Sequence, residues 1–269
     1  MRSVPVARSG LAAEAASVRP CDRQWMMAAI ETLLFDFGGT LDADGVAWKE
    51  RFYSLYRAEG LDMTAEAFAP AYFAADDALV SALPRTAGLS ETVHALAANL
   101  ETELARRAKA HGAAPVKGRA DSDRGQRVAS RFLSDMSAVF SRNRPVLEAL
   151  GKHCRLGVVS NFYGNLEAVL RTSGLAPLFA VMVDSQRVGA EKPDPAIFRV
   201  ALEALDAAPE TAVFVGDSLR RDREGARRAG MGFIWIAPED VQTVAAQAAA
   251  PGATLSAVAR LPDLLNVLK

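Results

Sequence analysis

Short apolar runs alternate along this chain with longer stretches in which apolar residues recur at helical spacing. The runs lie at 30–37, 155–160, 179–183, 212–215 and 232–236, and polar residues or glycines close most of them. Continuous apolar runs of this length are typical of strands that are buried on both faces of a parallel sheet. Helical spacing predicts helices at 165–172, 195–205, 223–229, 242–250 and 261–268. Strands that alternate with helices indicate an α/β fold, in which helices cover both faces of a parallel sheet.

The interval between the first two predicted strands is too long for a single crossover helix. It is rich in alanine, and its pattern predicts helices at 48–57, 65–82, 91–110 and 126–140. Polar and glycine residues at 112–125 predict a loop within this interval. We therefore predict a flexible N-terminal tail over 1–27, an α/β core over 28–45 and 141–269, and a helical insertion over 46–140.

Charge and cysteine content narrow the possible partners. The net charge is −1 and the isoelectric point is about 6.3, which argues against nucleic acid or an anionic membrane surface as a partner. No apolar run is long enough to cross a membrane. The two cysteines, Cys21 and Cys154, are too few for a disulfide framework and suit a reducing cytoplasm, where we expect the protein.

Polar side chains with catalytic chemistry stand at the ends of predicted strands or in the loops between them. They are Asp36 after the first strand, Ser160 and Asn161 at the end of the second, Lys192 in a later loop, and Asp217 with Asp222 after the fourth. The carboxyl ends of parallel strands meet at one edge of a sheet, so these side chains should converge. Carboxylates, a hydroxyl and an ammonium group together suit attack on a phosphoryl group beside a divalent cation.

Taken singly, each of these residues also has a structural interpretation. Asp36 could cap a turn, and Ser160 with Asn161 could cap a helix. Lys192 could be a solvated loop lysine, and Asp217 and Asp222 could cap the helix that follows them. The glycine pair after Asp36 favours function there, because it indicates a sharp turn or a close approach to another group.

The order and spacing of these clusters resemble the four motifs of the haloacid dehalogenase-like (HAD) hydrolase superfamily. The segments concerned are Leu33-Leu34-Phe35-Asp36-Phe37-Gly38-Gly39-Thr40-Leu41, Val158-Val159-Ser160-Asn161, Lys192-Pro193-Asp194-Pro195 and Val215-Gly216-Asp217-Ser218 with Asp222. The resemblance covers about residues 30–269, in the subfamily with a helical cap after the first strand. It implies a Rossmann-like core with an inserted α-helical cap, and a Mg²⁺-dependent phosphatase that acts on a small phosphorylated metabolite through an aspartyl-phosphate.

The resemblance also assigns roles to single residues. Asp36 would be the nucleophile, and Ser160 and Lys192 would act with it in catalysis and bind the phosphoryl group. Gly39, Thr40 and Asn161 would contribute to substrate binding, with Thr40 also ordering the turn after the strand. The metal ligands would be Asp36, the backbone carbonyl of Gly38 and Asp217, with Asp222 in support.

One position departs from the family pattern. Family phosphatases usually carry an aspartate two residues after the nucleophile, where it acts as general acid and base, and this chain has Gly38 there. The chain could then be a slow phosphatase, favour good leaving groups, or use another acid such as Asp42 or Asp44.

The same departure keeps two other functions open. One is a non-catalytic protein that binds a phosphorylated ligand or a partner. The other is a metal-independent 2-haloacid dehalogenase, although dehalogenases usually carry tyrosine at the position of Gly38 and lose the pair that Gly216 and Asp217 preserve.

Overall fold

The computed structural model describes residues 30–110, 123–248 and 256–268. Within them the strands are β1 (Thr32–Phe35), β2 (Arg155–Ser160), β3 (Val181–Asp184), β4 (Ala212–Gly216), β5 (Gly232–Ile236) and β6 (Ala257–Val258). The helices are α1 (Trp48–Ala58), α2 (Ala65–Asp77), α3 (Leu79–Ala82), α4 (Leu89–Ala110), α5 (Arg124–Leu150), α6 (Leu166–Thr172), α7 (Ser185–Val188), α8 (Pro195–Ala204), α9 (Glu224–Arg228), α10 (Glu239–Ala248) and α11 (Leu264–Val267). The tail predicted over 1–27 and most of the loop predicted over 112–125 lie outside the described residues.

The described strands form a parallel sheet in the order β3-β2-β1-β4-β5-β6. All residues of β1, β4 and β5 are buried, as strands with helices on both faces require. The predicted α/β fold is confirmed. The first strand is shorter than the run at 30–37 predicted, and β6 was not predicted, since two residues carry no periodic signal.

Helix α8 illustrates how the sequence sets the helices of the core. Its N-cap is Asp194, whose side chain accepts a hydrogen bond from the backbone N–H of Ala196, and Pro195 occupies the first turn. The buried residues Ile197, Phe198, Ala201 and Leu202 recur at helical spacing. They belong to a hydrophobic cluster with residues of β2, β4 and β5, so α8 lies against the sheet.

The described chain forms two compact units. The first holds the sheet and comprises residues 30–47, Val139–Asn161 and the described residues from Pro177 onward; the second comprises Trp48–Ala138 and Phe162–Ala176. The second unit is helical, and the rings of Trp48, Phe52 and Phe132 pack in its core, with 4.5 Å between the centroids of Phe52 and Phe132.

The second unit includes a segment that lies outside the predicted boundaries of the insertion. The segment Phe162–Ala176 clusters with the inserted helices, although the prediction placed it in the core. The Asn165 amide donates to the Ala87 carbonyl at 2.9 Å and to the Thr92 hydroxyl at 2.8 Å, which attaches this segment to the inserted helices.

The inserted helices also have different lengths from those predicted. The helix predicted over 126–140 begins at Arg124 and continues to Leu150 as a single helix of 27 residues. The helix predicted over 65–82 is instead two helices, α2 and α3, that meet at Ala78.

None of the helices in the described part of the chain is both long and apolar enough to cross a lipid bilayer.

Candidate active site

The predicted catalytic residues gather at the carboxyl edge of the sheet, within the first unit. Strand β1 lies between β2 and β4, so the chain winds outward to β3 and then returns to the other side of β1. In an open parallel sheet, this reversal creates the crevice in which ligands bind. Asp36 follows β1, Ser160 ends β2, and Asp217 follows β4.

The carboxylate of Asp36 is buried and held from two sides. The Ser160 hydroxyl donates to its Oδ1 at 2.8 Å, and the Lys192 ammonium lies 2.7 Å from the same oxygen. The backbone N–H of Asp36 donates to the Val215 carbonyl at 2.9 Å, which fixes the residue to the end of β4. No side-chain hydrogen bond from the described residues reaches Oδ2, so this oxygen is available to another partner.

Lys192 is 4% exposed and joins two carboxylates. Its Nζ lies 2.7 Å from Asp222 Oδ1, the same distance as from Asp36. Burial disfavours the charged ammonium, but the charges of Asp222 and Asp36 outweigh that effect and hold the pKa of Lys192 above its usual value. The lysine is therefore a cation, and it offsets negative charge next to Asp36.

Asn161 holds the loop that carries Lys192. Its Oδ1 accepts a hydrogen bond from the Lys192 backbone N–H at 2.7 Å, and its Nδ2 donates to the Lys192 carbonyl at 3.1 Å. Both ends of the amide are thus used on one backbone, whereas the resemblance implied a contact with substrate. In this structure Asn161 positions Lys192.

Asp217 lies against the turn that follows β1. The Thr40 hydroxyl donates to Asp217 Oδ1 at 3.3 Å, and the Trp235 indole N–H donates to the Asp217 carbonyl at 2.8 Å. Gly39 has a φ of +93°, and a Cβ there would lie 2.5 Å from Asp217 Oδ2. Glycine is therefore required at 39 by its backbone and by the carboxylate it touches. Gly39 and Thr40, predicted to bind substrate, contact Asp217.

Asp222 completes the cluster from a turn before α9. It is fully buried, and its Oδ2 accepts a hydrogen bond from the Ser218 backbone N–H at 2.9 Å. Burial raises the pKa of its carboxyl, and the neighbouring Lys192 opposes that rise. Burial also raises the pKa of Asp217 well above its usual value, with the charges of Asp222 and Asp36 acting in the same direction.

The three carboxylates fit a divalent cation. One oxygen each from Asp36, Asp217 and Asp222 lies within 4.8 Å of the others. The Lys192 ammonium pairs with Asp36 and Asp222, and burial together with the neighbouring carboxylates raises the pKa of Asp217 and Asp222. An all-oxygen donor set with unbalanced negative charge is the chemistry that Mg²⁺ prefers.

Gly38 and the two aspartates predicted as its substitutes, Asp42 and Asp44, lie in and directly after the turn that follows β1. Gly38 has a φ of −75° and a ψ of 115°, a conformation open to any residue. Asp42 is fully buried and its Oδ1 accepts the Gly39 N–H at 2.6 Å, while both oxygens of Asp44 pair with the Arg142 guanidinium. The structure therefore uses both aspartates to build the loop and supports neither as a replacement acid.

Sequence reasoning missed two residues that support this loop. Arg142 and Asn143 lie in the C-terminal third of α5, where Arg142 pairs with Asp44 and Asn143 bonds to the Leu41 carbonyl. These contacts join positions 98 and 102 residues apart, and nothing in the local pattern of a helix indicates such partners.

Proteins of known name are similar to part of this chain. Haloacid dehalogenase-like hydrolase domain-containing protein 3 of Bos taurus is 41% identical over 98 residues, which is 34% of this chain and 39% of that protein. The phosphoserine phosphatase of Thermus thermophilus is 40% identical over 98 residues, 35% of this chain and 39% of that enzyme. The chain thus matches less than half of the length of each of these relatives.

Solved structures share the fold. A HAD hydrolase of Bacillus subtilis bound to magnesium superposes with a TM-score of 0.51 and 20% identity, covering 89% of this chain and 98% of that one. A dehalogenase with an intermediate complex gives a TM-score of 0.53 and 18% identity, covering 89% of this chain and 97% of that one. A sequence model of the haloacid dehalogenase-like hydrolases matches residues 30–230, and this chain belongs to that family of hydrolases.

Proposed function

We propose that this protein is a Mg²⁺-dependent phosphatase of a small phosphorylated metabolite, and that Asp36 is its nucleophile. The observation that carries the proposal is the environment of the Asp36 carboxylate. One of its oxygens is held by Ser160 and Lys192, and two further carboxylates lie close enough to share a cation with it. A carboxylate prepared in this way suits in-line attack on phosphorus.

In the first step Asp36 attacks phosphorus through a carboxylate oxygen. The bond between phosphorus and the ester oxygen breaks, the aspartyl-phosphate forms, and the leaving oxygen takes a proton from solvent. Lys192 offsets the charge that builds up as carboxylate and phosphate approach, and the Ser160 hydroxyl orients Asp36. Mg²⁺ held by Asp36, Asp217 and the Gly38 carbonyl, with Asp222 in support, would reduce the repulsion between phosphate and carboxylate. Water then hydrolyses the acyl-phosphate and regenerates Asp36.

Gly38 makes a slow enzyme the expected outcome. Without a carboxylate at position 38, the leaving oxygen receives no proton from this position. The attacking water likewise loses no proton to it. General acid–base assistance is worth ~10²–10⁴ in rate. Aryl phosphates, whose leaving groups need little protonation, should therefore be much better substrates than alkyl phosphates.

The helical unit is, by this proposal, the cap that selects the substrate. Relatives named for phosphoserine and, in Methanopyrus kandleri, for glyceraldehyde 3-phosphate favour a substrate of a few carbons. The proposal also places the protein in the cytoplasm, where such metabolites occur.

The test is phosphate release from an aryl phosphate and from a panel of phosphometabolites, with and without Mg²⁺. Turnover that requires Mg²⁺ and is lost in Asp36→Asn supports the proposal, because the amide is neither a nucleophile nor a good ligand. Wild-type turnover in Asp36→Asn would show that the covalent mechanism is wrong.

Gly38 also favours a second candidate, a protein that binds phosphorylated ligands without turnover. Phosphate and Mg²⁺ binding with no release from any substrate would support it. Chloride release from chloroacetate, independent of metal, would instead identify a dehalogenase.

A further inference from the structure

A buried asparagine of α5 contacts the loop after the nucleophile. Asn143 is 1% exposed, and its Nδ2 donates to the Leu41 carbonyl at 3.1 Å. Its Oδ1 accepts a hydrogen bond from Arg142 Nε at 3.1 Å. Because an arginine nitrogen can only donate, the amide oxygen must face Arg142, and the amide nitrogen is therefore directed at Leu41.

Arg142 connects the same asparagine to a second point of the loop. Its two terminal nitrogens pair with the two oxygens of Asp44, one of them at 2.9 Å. A bidentate pair of this kind fixes orientation as well as charge. The two neighbouring helix residues thus hold the loop at Leu41 and at Asp44.

The loop held in this way carries the glycine and threonine that touch Asp217. The Gly39 carbonyl accepts the Gly45 N–H at 2.8 Å, and its N–H donates to Asp42. Gly39 is in close contact with Asp217, and Thr40 donates to the same carboxylate. A shift of the loop would therefore displace Asp217 relative to Asp36.

We propose that Arg142 and Asn143 are positioning residues that hold the loop of residues 37–45 and thereby set the place of Asp217 in the carboxylate cluster. The inference rests on the proposed function for its catalytic meaning, but the structural restraint itself does not depend on turnover. It assigns a function to two residues that none of the family motifs includes.

The central variant is Asn143→Asp, which keeps size and the acceptor that faces Arg142 but places an oxygen against the Leu41 carbonyl. Arg142→Gln is a second variant, since it removes the pair with Asp44 and the Nε donor to Asn143 at a position that is itself only partly buried. Arg124→Gln is the matched control, because Arg124 lies on the same helix and pairs with Glu101 through two nitrogens at 2.9 and 2.8 Å.

The first readout is hydrogen–deuterium exchange of a peptide that covers 37–45. Exchange should be about tenfold faster in Asn143→Asp, as expected when a buried hydrogen bond is lost and its acceptor stays unpaired. Arg142→Gln should change in the same direction by a smaller factor, and Arg124→Gln should match the wild type. Unchanged exchange in both loop variants, or equal acceleration in the control, would overturn the proposal.

The second readout is Mg²⁺ affinity, measured by calorimetry on the same proteins. Weaker Mg²⁺ binding in Asn143→Asp, with melting close to that of Arg124→Gln, supports positioning of Asp217. Faster exchange with unchanged Mg²⁺ affinity would refute the proposal that the loop sets the position of Asp217. A wild type that releases no phosphate would refute the proposed function only, since both readouts can be made without turnover.

Discussion

Replacing Gly38 with aspartate should raise turnover on poor leaving groups. Gly38 has a φ of −75° and a ψ of 115°, so an aspartate fits its backbone without strain. Its neighbour Gly39, at a φ of +93°, does not share that freedom. A carboxyl two residues past the nucleophile would restore the acid and base that the family pattern has at this position.

The expected gain can be bounded from two opposing effects. General acid–base assistance of ~10²–10⁴ corresponds to about 2.7 to 5.4 kcal/mol of barrier. A new carboxylate also repels the site, which has three carboxylates against Lys192. Each unit of net negative charge in the site raises the free energy of the new carboxylate by about 2.4 kcal/mol, at a separation of about 7 Å and an effective dielectric constant of about 20. Mg²⁺ would cancel most of that charge, so we expect at least a tenfold gain in its presence, about 1.4 kcal/mol.

The assay is a leaving-group series of aryl and alkyl phosphates at saturating Mg²⁺. In Gly38→Asp the rate should depend less on the pKa of the leaving alcohol, with the largest gain for alkyl phosphates. Gly38→Asn is the matched control, because it has the same shape and the same backbone demand but no proton to donate.

Two results would refute this reasoning. If Gly38→Asp folds and no accepted substrate turns over faster, the missing acid does not limit the enzyme. If Gly38→Asn gives the same gain, the effect comes from the backbone and not from proton transfer.

Three further substitutions follow from the buried charges and the tight turn. Lys192→Met leaves Asp36 and Asp222 buried without their shared cation. The free energy of unfolding, measured in urea without Mg²⁺, should therefore fall by about 3–5 kcal/mol. A fall of less than about 1 kcal/mol would contradict the ion-pair geometry. Gly39→Ala should lose more stability than Gly60→Ala, because both have positive φ but only Gly39 touches a carboxylate; equal losses in thermal melting would exclude the contact with Asp217. In chelator, Asp217→Asn should have a higher melting temperature than the wild type, because burial and like charges disfavour the ionised carboxylate. Mg²⁺ should raise the melting temperature of this variant less than that of the wild type. A lower melting temperature than the wild type in chelator would show that the charge of Asp217 is already balanced.

The sheet was predictable because its strands are buried on both faces. Every residue of β4 is buried, so the run at 212–215 had to be apolar throughout and stands out from the amphipathic helices around it. The convergence of Asp36 and Asp217 was predictable from the same topology, since both directly follow paired parallel strands. Whether a residue directly follows a strand can be read from the neighbouring residues in the sequence.

The support of the site was not predictable in this way. Arg142 and Asn143 lie in the C-terminal third of a 27-residue helix, and a polar pair there has the same pattern whether it is solvated or bonded to a distant loop. The helix predicted over 126–140 also ends ten residues too early, since the buried residues Val146, Leu147 and Leu150 continue its apolar spacing.

Asn161 shows where resemblance and geometry separate. It follows Ser160 directly, and the resemblance implies that it contributes to substrate binding. Both atoms of its amide are instead bonded to the Lys192 backbone, 31 residues away. Burial of the Lys192 ammonium is costly unless it is paired, and the two bonds from Asn161 hold its backbone where Nζ lies 2.7 Å from Asp36 Oδ1. The Asn161 side chain therefore supports the loop that brings Lys192 to Asp36, and only the folded chain reveals a contact between positions 31 residues apart.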